Sequence, residues 1–312
     1  MRTSRALPLT LFLTAACANQ CPPARVQTSQ PFKLLNPLLE TVPSLDYSEL
    51  RPFQYKMQKF IDDRKKAGDV SHISIYFRDL SNGPIYAFNE KEPFSPASLL
   101  KLPLLIAVLK LAESNPAFLT KRVVNNVSEM VSRNIGTSVL ETDKEYTVDE
   151  LLHAMIAASD NRATILLRNV TDPELLDSVY RDLGLLIPEV RTADDNMTVR
   201  EYATFFRILY NASYLGNEGS EKALDYLAAS EFKQGLPSGV PPDVTVAHKF
   251  GERAFTGDSV KQLHDCGIVY YKPLPYVLCV MTRGENFQNL TGVIRDASKL
   301  IYTEVHSQTT KR

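Results

Sequence analysis

Phe94-Ser95-Pro96-Ala97-Ser98-Leu99-Leu100-Lys101-Leu102-Pro103-Leu104-Leu105-Ile106-Ala107-Val108-Leu109-Lys110-Leu111 is the stretch on which the architecture turns. Before it the chain reads as short strands; from Ser98 to about Ala229 the pattern is helical. Leu102 to Leu111 is apolar nearly all round, as a helix buried between two layers must be. Ser98 and Lys101 stand one helical turn apart and so share a face. A lysine whose charge is suppressed by burial can take the proton of a neighbouring serine and turn it into a nucleophile. Alone, a Ser-x-x-Lys spacing is a common chance match on a helix surface.

Working outward towards the N-terminus, Phe53, Met57, Phe60 and Ile61 recur at helical spacing and predict an amphipathic helix that stops near Ala67-Gly68. His72–Phe77 and Pro84–Phe88, separated by Ser81-Asn82-Gly83, predict a β-hairpin. Towards the C-terminus, Thr147, Thr171 and Thr198 each precede by three residues a Glu that can return the capping hydrogen bond, which predicts three helix starts. Val244–Lys249, Cys266–Tyr271 and Tyr276–Met281 are strand-like, and a last helix runs from about Leu290 to Glu304. Strands from both ends of the chain flanking a helical block are best satisfied by an α/β (α+β) fold. It has one antiparallel sheet with terminal helices on it (residues 47–95 and 243–305), a helical subdomain (residues 96–242), and the site between them.

Two further motifs follow Ser98 and Lys101. Ser159-Asp160-Asn161 comes after the helix Leu151–Ala158, and Lys249-Phe250-Gly251 ends a strand. Singly, the first reads as a loop capping the next helix, Lys249 as a lysine guarding a strand edge, and Glu252 as a solvated turn residue. Together these readings leave the order of the three motifs unexplained. Ser-x-x-Lys, Ser-Asp-Asn and Lys-Thr-Gly are the set shared by class A β-lactamases and penicillin-binding proteins. Residues 47–305 resemble that family, and TVDELLHAMIAASDNRATILL, Thr147 to Leu167, is similar to the class A stretch around Ser-Asp-Asn.

The resemblance implies a β-lactamase/DD-peptidase-like fold and a set of roles. Ser98 attacks a carbonyl, Lys101 assists its deprotonation and Ser159 relays a proton to the departing nitrogen. Asn161 holds Lys101 and the substrate, Lys249 attracts the substrate carboxylate, and Gly251 leaves room for substrate along the strand. Backbone N–H groups of Ser98 and Glu252 form the oxyanion hole, with a helix dipole behind Ser98.

Two departures stand out. Phe250 occupies the place of the usual Thr or Ser, which removes a hydroxyl donor to the substrate carboxylate, worth about 1.5–3 kcal/mol, unless Arg253 or another donor compensates. The Glu-x-x-Leu-Asn segment that activates the deacylating water in class A enzymes is missing from the shortened region Leu183–Thr198. Glu189 is the Glu there, but Val-Arg-Thr follows it, and an ordinary surface role is the preferred reading. Without that base an acyl-enzyme should persist.

Composition narrows the alternatives. With 35 basic and 36 acidic residues, net charge −1, the chain has no electrostatic footprint for nucleic acid. His72, His153, His248, His264 and His306 are scattered without metal-ligand spacing, so neither a metal nor any other cofactor is implied. Arg2 and Arg5 lead an apolar stretch from Ala6 to Ala16, an export signal over residues 1–18. Thr14-Ala15-Ala16-Cys17 leaves two modes of cleavage open: lipidation of Cys17, which would tether the protein to a membrane, or ordinary cleavage after Ala18. The Pro-dense residues 19–46 read as a linker. A periplasmic or cell-surface location and a monomer are expected.

Cys266 and Cys279 remain for the folded body. A simple hairpin pairing Tyr271 with Tyr276 sets Cys266 opposite Met281, so buried free thiols are expected and a bridge would need a bulge or slip. The function expected is a serine hydrolase forming an acyl-enzyme through Ser98 and hydrolysing β-lactams. The alternatives are a D-Ala-D-Ala-type peptidase or an esterase acting on a small molecule or peptide, and a non-catalytic surface binding module.

Overall fold

The computed structural model describes residue 34 and residues 51–309, apart from 81–84, 128–137, 186–195, 255, 256, 258 and 273. The expected export signal, most of the expected linker and Glu189 lie outside the described residues. Helix α1 (Arg51–Lys66) buries Phe53, Met57 and Ile61 and ends where the sequence pattern stops. Its last carbonyls are closed by Gly68 N–H donating to Lys65 O and Asp69 N–H to Arg64 O, a Schellman cap. That cap requires the left-handed φ of 77° at Gly68.

Strands β1 (His72–Asp79) and β2 (Ile85–Phe88) pair as the expected hairpin. After the helical block come β5 (Val246–Ala254), β6 (Lys261–Val269) and β7 (Tyr276–Gly284). The sheet runs β2-β1-β7-β6-β5, antiparallel throughout, so the first and last parts of the chain close one sheet. Alternation along the strands divides the core. Ile73, Ile75, Phe77, Leu278 and Val280 pack with α1 and the final helix, whereas Tyr76, Cys279, Met281 and Ile268 face the helical block. That block contains α2 (Lys101–Ser114), α3 (Val148–Ala157), α4 (Asn161–Val170), α5 (Pro173–Asp182), α6 (Val199–Tyr210) and α7 (Asn217–Ala228). In α2 every residue from Lys101 to Leu109 is buried, as an all-round apolar helix requires. The final helix, α8 (Phe287–Thr309), is longer at both ends than its hydrophobic pattern; the Asn286 side chain accepts from Gln288 N–H and meets its first turn.

Three sequence expectations are corrected. Thr147 and Thr198 form full capping boxes with Glu150 and Glu201, but the third helix is capped by Asp172, whose carboxylate accepts from Glu174 N–H. Pro173 explains this: lacking an N–H and with φ preset, it takes the first helical position and makes the residue before it the cap. A small antiparallel pair, β3 (Arg122–Val124) with β4 (Glu145–Thr147), lies inside the helical block and was not expected. Three residues are too few to show a period of two.

The third correction concerns the cysteines. Tyr276 pairs with Val269, not Tyr271, so the connection is six residues long and Cys266 falls directly opposite Cys279. The two are joined by a disulfide, buried on the face towards the helical block. The two-residue shift from the tight-turn register, not a bulge, brings the thiols together.

Candidate active site

Ser98 sits on a short 3-10 turn, Ala97–Leu100, that runs into α2. Ala97 precedes it with φ 47°, a left-handed backbone at a non-glycine residue, which occurs where surrounding structure over-determines a conformation. That structure comes from the sheet and α6. Ser95 N–H donates to Gln262 Oε1 (3.0 Å), Arg253 Nη1 donates to Ser95 Oγ (3.0 Å), and Tyr202 O–H donates to Leu99 O (3.1 Å). His264 Nε2 meets Ser95 O at 2.9 Å while its Nδ1 faces Thr282 N–H at 3.3 Å, which assigns the proton to Nε2. Arg253, considered above as a compensating carboxylate donor, is thus engaged with the loop that carries the serine.

Gly251 brings the edge strand β5 against this turn. A Cβ there would stand 2.9 Å from Pro96 O, 3.0 Å from Leu99 Cγ and 3.1 Å from Leu99 N. The space left by the missing side chain is filled by the serine's own turn; the close approach of strand and turn, rather than room for substrate, is what demands glycine.

Ser159 breaks the chain between α3 and α4, again with a left-handed φ of 55°. The break is held by Asp160, the N-cap of α4. Its Oδ1 accepts from Ala163 N–H (2.9 Å), and its Oδ2 accepts from Ser138 Oγ–H (2.6 Å) and Val139 N–H (2.8 Å). The capping role is therefore real and coexists with a positioning one. It aims the Ser159 hydroxyl and Asn161 amide at Lys101.

Lys101 Nζ donates towards Ser98 Oγ (3.2 Å), Ser159 O (2.5 Å), Ser159 Oγ (3.1 Å) and Asn161 Oδ1 (2.6 Å). The side chain is 4% exposed, and burial lowers its pKa to about 8 against the opposing pull of Asp160. Lys249 Nζ donates to the other side of Ser159 Oγ (2.9 Å) and to Phe250 O (3.0 Å). Burial and then the charge of Lys101 hold it well below the usual lysine range, while Asp265 and Glu252 act the other way. Asp265 is itself buried, 2.7 Å from His248 Nδ1, a pair that no sequence spacing announced.

Ser98, Lys101, Ser159, Asn161 and Lys249 are thus joined by direct contacts. Ser98, Lys101, Asn161 and Glu252 line a cleft of about 320 Å³, together with Thr164 of α4 and Tyr180 of α5. Phe232, which stacks on Phe250, was missed because the pair is 18 positions apart and depends on where the segment after α7 returns to the sheet. Among the described residues, no three His, Cys, Asp or Glu side chains are placed to hold a metal ion.

The chain is similar to known proteins in sequence and in fold. The chain is 26% identical over 235 residues to a β-lactamase of Streptomyces lavendulae, covering 68% of this chain and 74% of that one. It is 22% identical to a β-lactamase of Streptomyces albus G, covering 74% and 79%. The fold matches solved structures of PBP-A (TM-score 0.68, 21% identity, 86% of this chain and 100% of that one) and of the TLA-3 extended-spectrum β-lactamase (0.70, 16%, 81% and 99%). The model of the Beta-lactamase enzyme family matches residues 52–305, and the chain belongs to that family.

Proposed function

We propose that this hydrolase works by acyl transfer, with Ser98 as the nucleophile and β-lactam amides as substrates. The observation that carries the reading is the single buried amine that reaches Ser98 Oγ, Ser159 Oγ and Asn161 Oδ1 at once. Neutral Lys101 accepts the Ser98 proton as Oγ bonds to the substrate carbonyl carbon. Backbone N–H groups of Ser98 and Glu252 face the developing oxyanion. Ser159, between the two lysines, passes a proton to the departing nitrogen, and the C–N bond breaks to leave an ester on Ser98. Water then hydrolyses that ester and restores the serine. A mutant of PBP-A has been solved as an acyl-enzyme complex with penicillin G, which is the state this reading assigns to Ser98.

A second reading, a D-Ala-D-Ala-type peptidase or esterase with little β-lactam turnover, is favoured by Phe250 in place of a hydroxyl residue and by Glu189-Val190-Arg191-Thr192 in place of Glu-x-x-Leu-Asn. In either case the N-terminal signal supports export to the periplasm or cell surface. Product analysis after incubation with penicillin, depsipeptide and D-Ala-D-Ala peptide separates the readings. Multiple turnovers of penicillin support the first; one equivalent of acylation with turnover of ester or peptide supports the second. Equal product from the Ser98→Ala variant would exclude both.

A further inference from the structure

The Lys249 ammonium has three N–H donors. Two are used by Ser159 Oγ and Phe250 O, and the Phe250 ring lies over the nitrogen with its centroid at 4.3 Å. The residue is 0% exposed, so neither water nor a carboxylate reaches it in this form. Phe250 is fixed in turn by Phe232, with ring centroids 4.3 Å apart and planes 23° apart, a stacked pair. Both rings pack against the core beneath the sheet. Gly235 leaves room beside both the Asp265 carboxylate and this ring: a Cβ there would stand 2.2 Å from Asp265 Oδ2 and 2.7 Å from Phe232 Cε1.

We propose that the Phe232–Phe250 stack closes the subsite at Lys249 to carboxylates. Ser98 is then directed to acyl donors that carry no carboxylate beside the scissile bond: neutral β-lactams, esters or amides. The proposal rests on the acyl-transfer reading above and narrows its substrate class. A carboxylate brought to this position would meet a ring face over an ammonium two of whose three donors are already engaged. It would be desolvated without a partner, the costliest way to bury a charge. A neutral ester or amide carries no such penalty. The chemistry is unchanged: the Ser98 Oγ–carbonyl bond forms, the carbonyl–N or carbonyl–O bond breaks, and the Ser98 proton ends on the leaving atom.

The test compares benzylpenicillin with its methyl ester, which differ only in that carboxylate. The second-order rate of Ser98 adduct formation is followed by intact mass for the native protein, Phe250→Thr, Phe232→Leu and Ser98→Ala. The native protein should be acylated at least about tenfold faster by the methyl ester than by the free acid. Phe250→Thr, which restores a hydroxyl donor and uncovers Lys249, should raise the acid rate about tenfold or more, so that the ester loses its advantage over the acid. Phe232→Leu should move the ratio the same way by less. A native protein that prefers the acid, forming adducts on Ser98, overturns the gate and leaves the nucleophile standing. This arm needs no variant to fold. Labelling by either compound that persists in Ser98→Ala overturns the acyl-transfer reading and the gate with it.

Discussion

Acylation should switch on as pH rises through about 8, because Lys101 must lose its proton to serve as base. Its burial lowers the pKa to about 8, with Asp160 opposing. The sign follows directly: below that pH the ammonium has no lone pair, and above it the amine is free. A group of this pKa is neutral in about 1% of molecules at pH 6, about 10% at pH 7 and about 90% at pH 9. The acylation rate should therefore rise about tenfold from pH 6 to 7, about fivefold from 7 to 8, and level off near 9. An exposed lysine, titrating near 10.4, would still be rising at pH 10. Asp160→Asn removes the charge that raises the lysine and keeps a residue able to cap α4, so the midpoint should move down. The assay is rapid quench and intact mass, with the methyl ester of benzylpenicillin as a donor whose own charge does not change over the range. A rate that is flat from pH 6 to 9, or a midpoint that moves up in Asp160→Asn, would refute the assignment of Lys101 as base.

Two other perturbations follow from the geometry. Gly251→Ala forces a Cβ to within 2.9 Å of Pro96 O and about as close to Leu99, so the Ser98 turn must shift; acylation should fall at least about tenfold while the melting temperature changes by a few degrees only. The Cys266–Cys279 bridge closes a loop of sequence separation 13, which predicts a loss of about 3 kcal/mol in urea unfolding for the double Cys→Ala variant. The bridge is buried, so reductant should lower the stability of the native protein only under conditions that allow unfolding.

What was legible beforehand is what local chemistry decides. The capping boxes at Thr147 and Thr198, the stop of α1 at Gly68, and the shared face of Ser98 and Lys101 depend on residues a few positions apart. The order of motifs then located Ser159, Asn161 and Lys249. What escaped depends on register and on packing between distant segments. Sequence spacing favours a tight turn and so predicts free thiols, whereas six residues connect β6 and β7 and set Cys266 opposite Cys279. Thr171 looked like a cap until Pro173 made Asp172 one. The partner of Gly251 is the serine's turn, and the partner of Phe250 is Phe232; neither is implied by spacing. The hold that Asp160 exerts on Ser138 and Val139 is also tertiary, although its capping of α4 was visible in Ser159-Asp160-Asn161.

The central claim is that Ser98 becomes covalently acylated with the help of Lys101. The most direct test is time-resolved intact mass of the native protein mixed with a β-lactam, followed by peptide mapping, beside Ser98→Ala and Lys101→Ala. The account predicts a single adduct on the peptide that contains Ser98, absent from Ser98→Ala and formed at least about a hundredfold more slowly in Lys101→Ala. An adduct on another residue, or one that forms at the native rate without Lys101, would contradict it.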